Sequence, residues 1–326
     1  MKLPTKTPIS SRLAELNPTG AMVAHGLAVV PILGPTREGA DYALLDRDSA
    51  SGVKVTEVDD DGDVNTLHVH NTLATMLFLL DGQELIGAKQ NRILNADVLV
   101  PAASEMDIPV SCVEHGRWSR VSASFAAGRC HPKSAQQKKL ARVHEALKAG
   151  RGHDADQGAV WDDVDATLHE TAAPSATGAL HAAYVAHEDT LKGLRAGFTV
   201  PGDVTRPDDI TMPDDAVGVA LVAGDRLVSL DVFDRASTLK RCWDLIRDSF
   251  LIEYVARATE TLEVDPKAAC VLASRALDRA QGTKWDTFPA AGAGRDLRFK
   301  SKDLVGAALV TDDDCVVHLQ VFGTDV

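Results

Sequence analysis

The chain has 326 residues, of which 45% are hydrophobic and only 5% aromatic, and its 34 Lys and Arg against 47 Asp and Glu give a formal charge of −13 at pH 7. This composition excludes disorder as the main state of the chain. The acidic balance argues against extended nucleic acid or an anionic membrane as a partner, because both require a basic surface.

The lack of a secretory signal or membrane span and the spacing of the cysteines indicate the cellular compartment. The opening residues, MKLPTKTPISSRLAEL, lack the apolar core and cleavage site of a secretory signal, and no stretch reaches about 18 uninterrupted apolar residues. The cysteines are odd in number and lack zinc-ligand spacing, which fits reduced thiols: Cys112, Cys130, Cys242, Cys270 and Cys315. We therefore expect a cytoplasmic protein without disulfides or structural zinc.

Short strand-like runs dominate the chain from residue 25 to about residue 121. Clusters of Gly, Pro, Asn and Asp separate them, and Asp61-Gly62 and Asp81-Gly82 readily supply the positive φ angles of tight turns. This pattern is typical of a turn-rich antiparallel sheet. We predict strands over residues 26–33, 41–45, 53–58, 66–69, 75–80, 86–94, 97–100 and 108–113.

Helical periodicity becomes common after residue 130. Ser134, three places before Gln137, is a plausible N-cap for the first helix, and Asp265 followed by Pro266 is a clear start for the last one. Strand-like runs return as a hairpin over residues 217–233 and as two closing strands over 304–310 and 315–322. We predict helices over residues 134–149, 156–169, 177–194, 237–258 and 265–282.

These elements predict an α+β fold in which a β-rich N-terminal antiparallel sheet or sandwich packs against a helix-rich C-terminal half containing a second hairpin. We divide the chain into an N-terminal arm (1–24), a β-rich region that carries the candidate site (25–130) and a helix-rich α+β region (131–326). The last two regions are expected to form one structural unit. For the oligomeric state, a homo-oligomer is the generic expectation.

The densest run of polar side chains lies between residues 82 and 118. If residues 86–94 form one strand, the alternation of side chains places Gln90 and Arg92 on an otherwise apolar face. Glu114 likewise falls on an apolar stripe. A buried carboxylate is costly without a partner, so Glu114 requires one nearby.

Two interpretations of this segment stay open. In the functional one, Arg92 and Arg117 clamp a small anionic ligand, Glu114 or Glu84 acts as acid or base, and Gln90 orients the ligand. In the structural one, Glu114 forms an ion pair with Arg92 or Arg117, and Gln90 caps a strand edge.

Charge is distributed unevenly along the chain. Residues 115–151 contain nine basic residues and one acid, Glu145, so this segment carries +8 and the remainder −21. Together with Lys89 and Arg92, it is compatible with a phosphate-bearing ligand, and Trp118 is available to stack on a base or a sugar. For three of the basic residues we favour a plainer interpretation, the solvated face of an amphipathic helix: Lys138, Lys139 and Arg142.

Several motifs point away from familiar catalytic sites. His68 and His70 resemble half of a cupin metal motif, but the glutamate that should follow closely is missing, so we predict no metal and no cofactor. Ser237-x-x-Lys240 matches the serine acyltransferase pattern, but Ser237 opens a helix and we interpret it as an N-cap. Phosphate-loop, dinucleotide, nucleophile-elbow and zinc-protease motifs are absent, which disfavours those enzyme classes.

The polar segment also carries a family resemblance. GQELIGAKQNRILNADVLVPA (82–102) followed by IPVSCVEHGRW (108–118) closely resembles the signature of the ARG and rhodanese-phosphatase-superfamily-associated protein domain, a bacterial family. Further similar segments are DQGAVWDDV (156–164), PSATGAL (174–180) and LVSLDVFDRASTL (227–239). The resemblance spans most of the chain.

The family is named for its association with ADP-ribosylglycohydrolases and rhodanese-like phosphatases. The resemblance therefore implies a place in the processing of NAD-derived or ADP-ribose-like compounds. It marks these positions as the candidate site: Glu84, Gln90, Arg92, Glu114, Arg117 and Trp118.

Our leading hypothesis is an enzyme or enzyme-like domain, such as a hydrolase, that recognises a small phosphate-bearing nucleotide or an ADP-ribose or NAD-derived compound. The predicted catalytic residues are Glu114 and Glu84. The predicted ligand-binding residues are Lys89, Gln90, Arg92, Arg117 and Trp118. The alternatives are a non-catalytic ligand sensor that uses the same pocket, and a structural or partner-binding protein with a buried polar network.

Overall fold

The computed structural model describes residues 7–37, 39–46, 51–198, 212–256 and 263–324. Over these residues it confirms the α+β fold. The helices are α1 (Pro8–Leu13), α2 (Lys133–Lys148), α3 (Gln157–Glu170), α4 (His181–Ala186), α5 (Glu188–Ala196), α6 (Ala236–Leu251), a 3-10 turn (Ile252–Tyr254) and α7 (Pro266–Gly282). Among the described helices, none is long and apolar enough to cross a membrane.

The strands fall into three sheets. In chain order they are β1 (Asn17–Pro18), β2 (Met22–Ala24), β3 (Leu27–Leu33), β4 (Tyr42–Leu44), β5 (Val53–Glu57), β6 (Thr66–Asn71), β7 (Met76–Leu79), β8 (Gln83–Gly87), β9 (Arg92–Leu94), β10 (Val98–Val100), β11 (Ser104–Cys112), β12 (Phe125–Cys130), β13 (Ala216–Ala223), β14 (Arg226–Phe233), β15 (Asp286–Pro289), β16 (Arg295–Lys300), β17 (Leu304–Val310) and β18 (Val316–Gly323).

The largest sheet has nine strands in the order β1-β3-β13-β14-β18-β17-β16-β15, with β2 also paired to β3. Helices cover both of its faces, α7 against β3 and β14 and α6 against β13. Along β3, Leu27 and Val29 enter one hydrophobic cluster while Ala28 and Val30 enter the other. Burial on both faces explains why this strand reads as an unbroken apolar run.

The two smaller sheets form a sandwich. One has six strands in the order β12-β8-β9-β11-β6-β5, and the other has three in the order β10-β7-β4. Leucines from both sheets, such as Leu67 of β6 and Leu77 of β7, share one hydrophobic cluster. The pairing is antiparallel except between β4 and β7, which run parallel.

Local signals predicted several elements well. The hairpin over residues 217–233 is β13 and β14, and residues 304–310 and 315–322 correspond to β17 and β18. The Asp265 side chain caps α7 by accepting hydrogen bonds from the backbone N–H groups of Lys267 at 3.1 Å and Ala268 at 3.2 Å.

Two predicted elements are wrong in their continuity. The strand over residues 86–94 is instead a hairpin, because β8 ends at Gly87 and the chain reverses through Ala88, whose φ is +39°, before β9 begins at Arg92. The helix over 177–194 is two short helices, α4 and α5, interrupted at His187.

Two predicted caps are also wrong. The N-cap of α2 is Pro132, which has no side-chain hydrogen bond to the helix. The backbone N–H of Ser134 instead donates to the carboxylate of Glu253, a residue distant in sequence, at 2.5 Å. Ser237 lies inside α6, whose N-cap is Arg235.

Charged side chains inside the core join α2 to the sheets. Lys139 of α2 is fully buried and pairs with Asp81, and it also donates to the Leu94 carbonyl at 2.9 Å. Asp81 accepts a second hydrogen bond from Gln320 at 2.6 Å. The prediction that Lys139 belongs to a solvated face is therefore wrong, because its charge meets a carboxylate from a distant loop.

A second buried pair adjoins the first. Lys133 lies 3.1 Å from Asp231, and His318 lies between Asp231 at 3.6 Å and Asp97 at 2.8 Å. Burial lowers the pKa of His318, but the charges of Asp97 and Asp231 and the hydrogen bond to Asp97 outweigh it and raise that pKa to about 9.

We expect Lys139→Met to destabilise the protein by about 3–5 kcal/mol, because it leaves the buried Asp81 carboxylate without its cation. Lys300→Met is the matched control, since Lys300 pairs with Glu145 at 3.5 Å on the surface, and it should cost less than about 1 kcal/mol. Urea unfolding of both variants measures the difference. Equal effects would show that the buried pair adds nothing beyond a surface pair.

The His318 contribution should depend on pH. Its folded pKa of about 9 lies above the ordinary 6.5, so the stabilisation is fully present below pH 6.5 and is lost as the pH rises through 9. The gap in unfolding free energy between the unaltered chain and His318→Gln should shrink by roughly 3 kcal/mol across that range. A gap that stays constant from pH 6 to 10 would contradict a raised His318 pKa.

Candidate functional site

Segments from distant parts of the chain meet around Glu114. Glu114 forms an isolated β-bridge with Ala179, and the Gly116 N–H donates to the Thr177 carbonyl at 2.8 Å. Gln157 accepts from the Cys112 N–H at 2.7 Å and donates to the Cys112 carbonyl at 2.9 Å. The segments 82–118, 156–164 and 174–180 therefore form one spatial unit.

The Glu114 carboxylate has partners on both oxygens. Arg117 donates to it twice, from Nε at 2.9 Å and from Nη2 at 2.6 Å, while the Thr177 hydroxyl donates at 2.7 Å and the Asn91 N–H at 3.1 Å. Burial raises the pKa of Glu114, but the hydrogen bonds from Arg117 and Thr177 prevail and lower it. Glu114 and Arg117 therefore form an ion pair that is joined by two hydrogen bonds.

Arg117 also closes the turn between β8 and β9. Its Nη1 donates to the Ala88 carbonyl at 2.8 Å and the Ser119 carbonyl at 3.0 Å, and its Nη2 donates to the Asn91 side chain at 3.2 Å. The planar guanidinium thus holds several backbone and side-chain acceptors in fixed positions. Arg117 therefore helps to fix the conformation of the turn, together with the side chains of Glu57 and Ser122, which accept from backbone N–H groups of the turn.

Gln90 and Arg92 lie inside the same turn. Gln90 donates to the Glu114 carbonyl at 3.1 Å and accepts from Arg92 Nη1 at 3.0 Å. Arg92 is fully buried, and its Nη2 lies 3.9 Å from a Glu57 carboxylate oxygen. The structure brings Gln90, Arg92 and Glu114 together but leaves Arg92 closed to solvent.

Trp118 covers the outer side of this turn. Its ring centroid lies 5.5 Å from the Arg92 guanidinium carbon and 5.1 Å from Lys89 Nζ, within cation–π distance. The indole is 47% exposed. Lys89 and Trp118 therefore form a surface patch above the buried Arg92.

Glu84 faces away from that patch and towards His181. One oxygen of the fully buried Glu84 accepts from Asn91 Nδ2 at 3.4 Å, and the other lies 3.3 Å from His181 Nδ1. The hydrogen bond to Glu84 raises the pKa of His181. Asn91 thus links Glu84 to the Glu114–Arg117 pair.

His181 lies on the wall of a cleft of about 460 Å³ between the sandwich and α6. One part of the wall is apolar and another carries charges of both signs. Its lining residues are Leu44, Leu45, Asp46, Phe78, Leu80, Gln83, Ile86, Ala127, Gly128, Arg129, His181, Arg241, Cys242, Asp244 and Leu245.

A bulge in β12 shapes this wall. The pairing of β12 with β8 shifts register between Ala127 and Cys130. A Cβ atom at Gly128 would lie 2.9 Å from a Glu84 carboxylate oxygen and 2.8 Å from Ile86. Gly128 therefore gives Glu84 room at the cleft, and a bulge is a common device for redirecting side chains beside a site.

Two arginines contribute cations to the cleft. Arg129 donates to Asp248 at 2.6 Å and to Glu188 at 2.8 Å, and Arg241 donates to Asp46 through Nη2. A guanidinium has five N–H donors, so both retain donors beyond these bonds. The Arg241 side chain is 42% exposed.

Within the described ranges, no group of three or more His, Cys, Asp or Glu side chains is arranged to hold a metal ion. His68, one of the cupin-like pair, instead lies 2.8 Å from Asp107. Cys112 is fully buried, and burial raises the pKa of its thiol, so it behaves as a small core residue.

None of the predicted site residues lines the cleft, and only Glu84 contacts a lining residue, His181. The other six lie in and around the β8–β9 turn. The cleft residues that were not predicted as site residues include His181, Arg129 and Arg241. His181 directly follows the 174–180 segment, and Arg129 belongs to the basic segment, so both had a weak signal. Arg241 had none, because its position depends on where α6 docks.

Comparison with known proteins identifies one family. The model of the ARG and Rhodanese-Phosphatase-superfamily-associated Protein domain matches residues 15–322. No curated protein and no solved structure matches the chain. The matched span contains every residue of the cleft and of the β8–β9 turn.

We expect Glu84→Gln to lower the pKa of His181, because it replaces the carboxylate that accepts the Nδ1 hydrogen bond with a neutral amide. An NMR titration of the histidine ring signals measures this shift. Glu145→Gln removes an exposed carboxylate from α2 and should leave the His181 titration unchanged. A His181 pKa that is the same in all three proteins would show that Glu84 does not act on it.

Proposed function

The chain belongs to the ARG and rhodanese-phosphatase-superfamily-associated protein domain family, and from this premise we propose that it is an enzyme-type domain that recognises a small phosphate-bearing nucleotide of the ADP-ribose or NAD-derived class. The family's association with ADP-ribosylglycohydrolases supports the ligand class. The proposed binding place is the cleft beside His181.

The observation that carries this proposal is the pairing of an apolar wall with arginines in one cleft. Leu45, Ile86 and Leu245 are half-buried and offer an apolar surface for a nucleobase. Arg129 and Arg241 offer donors for phosphate oxygens. The volume of about 460 Å³ lies within the usual range for small-molecule sites. A nucleotide presents both an apolar base and an anionic phosphate, so it can use both surfaces.

Arg241 is the residue we assign first to the phosphate. It is 42% exposed, its only described partner is Asp46, and its planar fork matches phosphate geometry. Arg129 is held more firmly by Asp248 and Glu188, so it would act as a fixed cation behind the ligand. Arg129 is thus held by two carboxylates and Arg241 by one.

The residues of the β8–β9 turn then have a supporting role. We assign Gln90, Arg92, Glu114 and Arg117 to holding Asn91, which in turn holds Glu84. The role of Lys89 and Trp118 in binding ligand stays a prediction, because their patch lies outside the cleft.

We expect ADP-ribose at 100 times its dissociation constant to stabilise the chain by about 2.7 kcal/mol in a thermal-shift assay. Arg241→Ala should weaken binding by roughly tenfold or more, as the loss of a charge-assisted hydrogen bond requires. Calorimetry with ADP-ribose, ADP and NAD measures the affinities directly.

Arg120→Ala is the matched control for that experiment. Arg120 is 47% exposed and pairs with one aspartate, Asp60, just as Arg241 pairs with Asp46, but it lies outside the cleft. Its replacement should leave the affinity unchanged. If none of the three compounds binds, or if both variants weaken binding equally, the cleft is not the nucleotide site.

A further inference from the structure

On the basis of the proposed function, we infer that the cleft is hydrolytic, with His181 as the general base that activates a water molecule for attack on the phosphorus atom of the bound ligand. Glu84 is the positioning residue for His181.

The two ring nitrogens of His181 have different surroundings. Nδ1 lies 3.3 Å from the Glu84 carboxylate, which can only accept, so Nδ1 carries the hydrogen and Nε2 of the neutral ring has a free lone pair. Nε2 makes no hydrogen bond within the described part of the chain, and the side chain is 36% exposed on the cleft wall. This is the arrangement that a general base requires.

Glu84 is held in place by the turn behind it. The Asn91 side-chain oxygen accepts from the Gly87 N–H at 3.1 Å and from Arg117 at 3.2 Å, so its amide nitrogen is directed at Glu84. Glu84 itself is fully buried next to Gly128. A fixed, desolvated carboxylate of this kind sets the tautomer and the orientation of the imidazole.

Other nucleophiles are poorly placed. None of the described residues that line the cleft is Ser or Thr. The lining thiol, Cys242, is buried, which raises its pKa far above neutrality. The lining carboxylates Asp46 and Asp244 pair with Arg241 and Arg247. Water is therefore the nucleophile that the cleft best supports.

The step balances with water as the only co-reactant. The water oxygen forms a bond to phosphorus, its proton passes to His181 Nε2, and the bridging P–O bond breaks with its electron pair on the leaving phosphate oxygen. The imidazolium then releases its proton to solvent. For ADP-ribose the products are AMP and ribose 5-phosphate, and Arg129 and Arg241 stabilise the charge that develops on the phosphoryl oxygens.

The test follows ADP-ribose in H₂¹⁸O, and it measures binding and turnover separately. We expect one ¹⁸O in a product phosphate. His181→Gln should lower kcat by about 100-fold or more, the usual contribution of a general base, without weakening binding. Glu84→Gln should also lower kcat at unchanged affinity, as expected for a residue that positions the base.

His169→Gln provides the control, because His169 is an exposed histidine on α3 outside this cleft, and its kcat should match that of the unaltered chain. If His181→Gln fails to fold, as judged by circular dichroism, His181→Asn takes its place. Absence of ADP-ribose binding would defeat the proposed function itself.

Three results would overturn the hydrolytic inference while the proposed binding stands: binding without turnover, a His181→Gln variant with an unchanged kcat, and ¹⁸O in the sugar rather than in phosphate. The first of these would identify a ligand sensor. The last would place the attack at carbon instead of phosphorus.

Discussion

Buried charges connect the two sheet systems of this molecule and so determine where the cleft lies. Asp81 precedes β8 and pairs with Lys139 of α2, while Lys133 of the same helix pairs with Asp231 of the large sheet. Each of these charges would be costly alone in the core, so the sandwich, α2 and the large sheet must meet in one arrangement. Interactions of this kind select a geometry more than they add net stability.

The position of the cleft follows from that arrangement. Glu84 follows Asp81 by three residues, and Arg129 precedes Lys133 by four, so two of the strands that line the cleft are anchored by the ion pairs at their ends. The bulge at Gly128 then supplies the last local adjustment, which leaves space for the Glu84 carboxylate. A rigid scaffold is what a catalytic or binding pair of side chains needs.

Local chemistry made much of the fold predictable. The Asp265 cap and the turn at Gly224-Asp225 use residues next to one another, and the buried strands show in their composition. The β8–β9 hairpin was missed because its turn has Ala88 at φ +39°, where glycine or asparagine would be expected, and because Arg117, about 30 residues away, closes it. Lys139 was assigned to solvent because its partner, Asp81, is 58 residues distant.

The same difference between local and sequence-distant contacts decides which parts of the candidate site could be predicted. That Glu114 needs a partner followed from its apolar neighbours, and Arg117, three residues on, was one of the two candidates. The partner of Glu84 is His181, 97 residues away on another element, and no spacing rule reaches that far.

The overall charge of −13 and the phosphate site proposed for the cleft are compatible for a physical reason. Screening at physiological salt limits the reach of exposed charges to about 8 Å, so acids elsewhere on the surface act weakly inside the cleft. The charged groups nearest to a ligand in the cleft are two ion pairs, Arg241 with Asp46 and Arg129 with Asp248. The diphosphate of an ADP-ribose-type ligand carries two negative charges against the one of either carboxylate and can take the remaining guanidinium donors, whereas an extended polyanion would run onto the acidic surface. The cleft therefore suits a small anion and disfavours a long one.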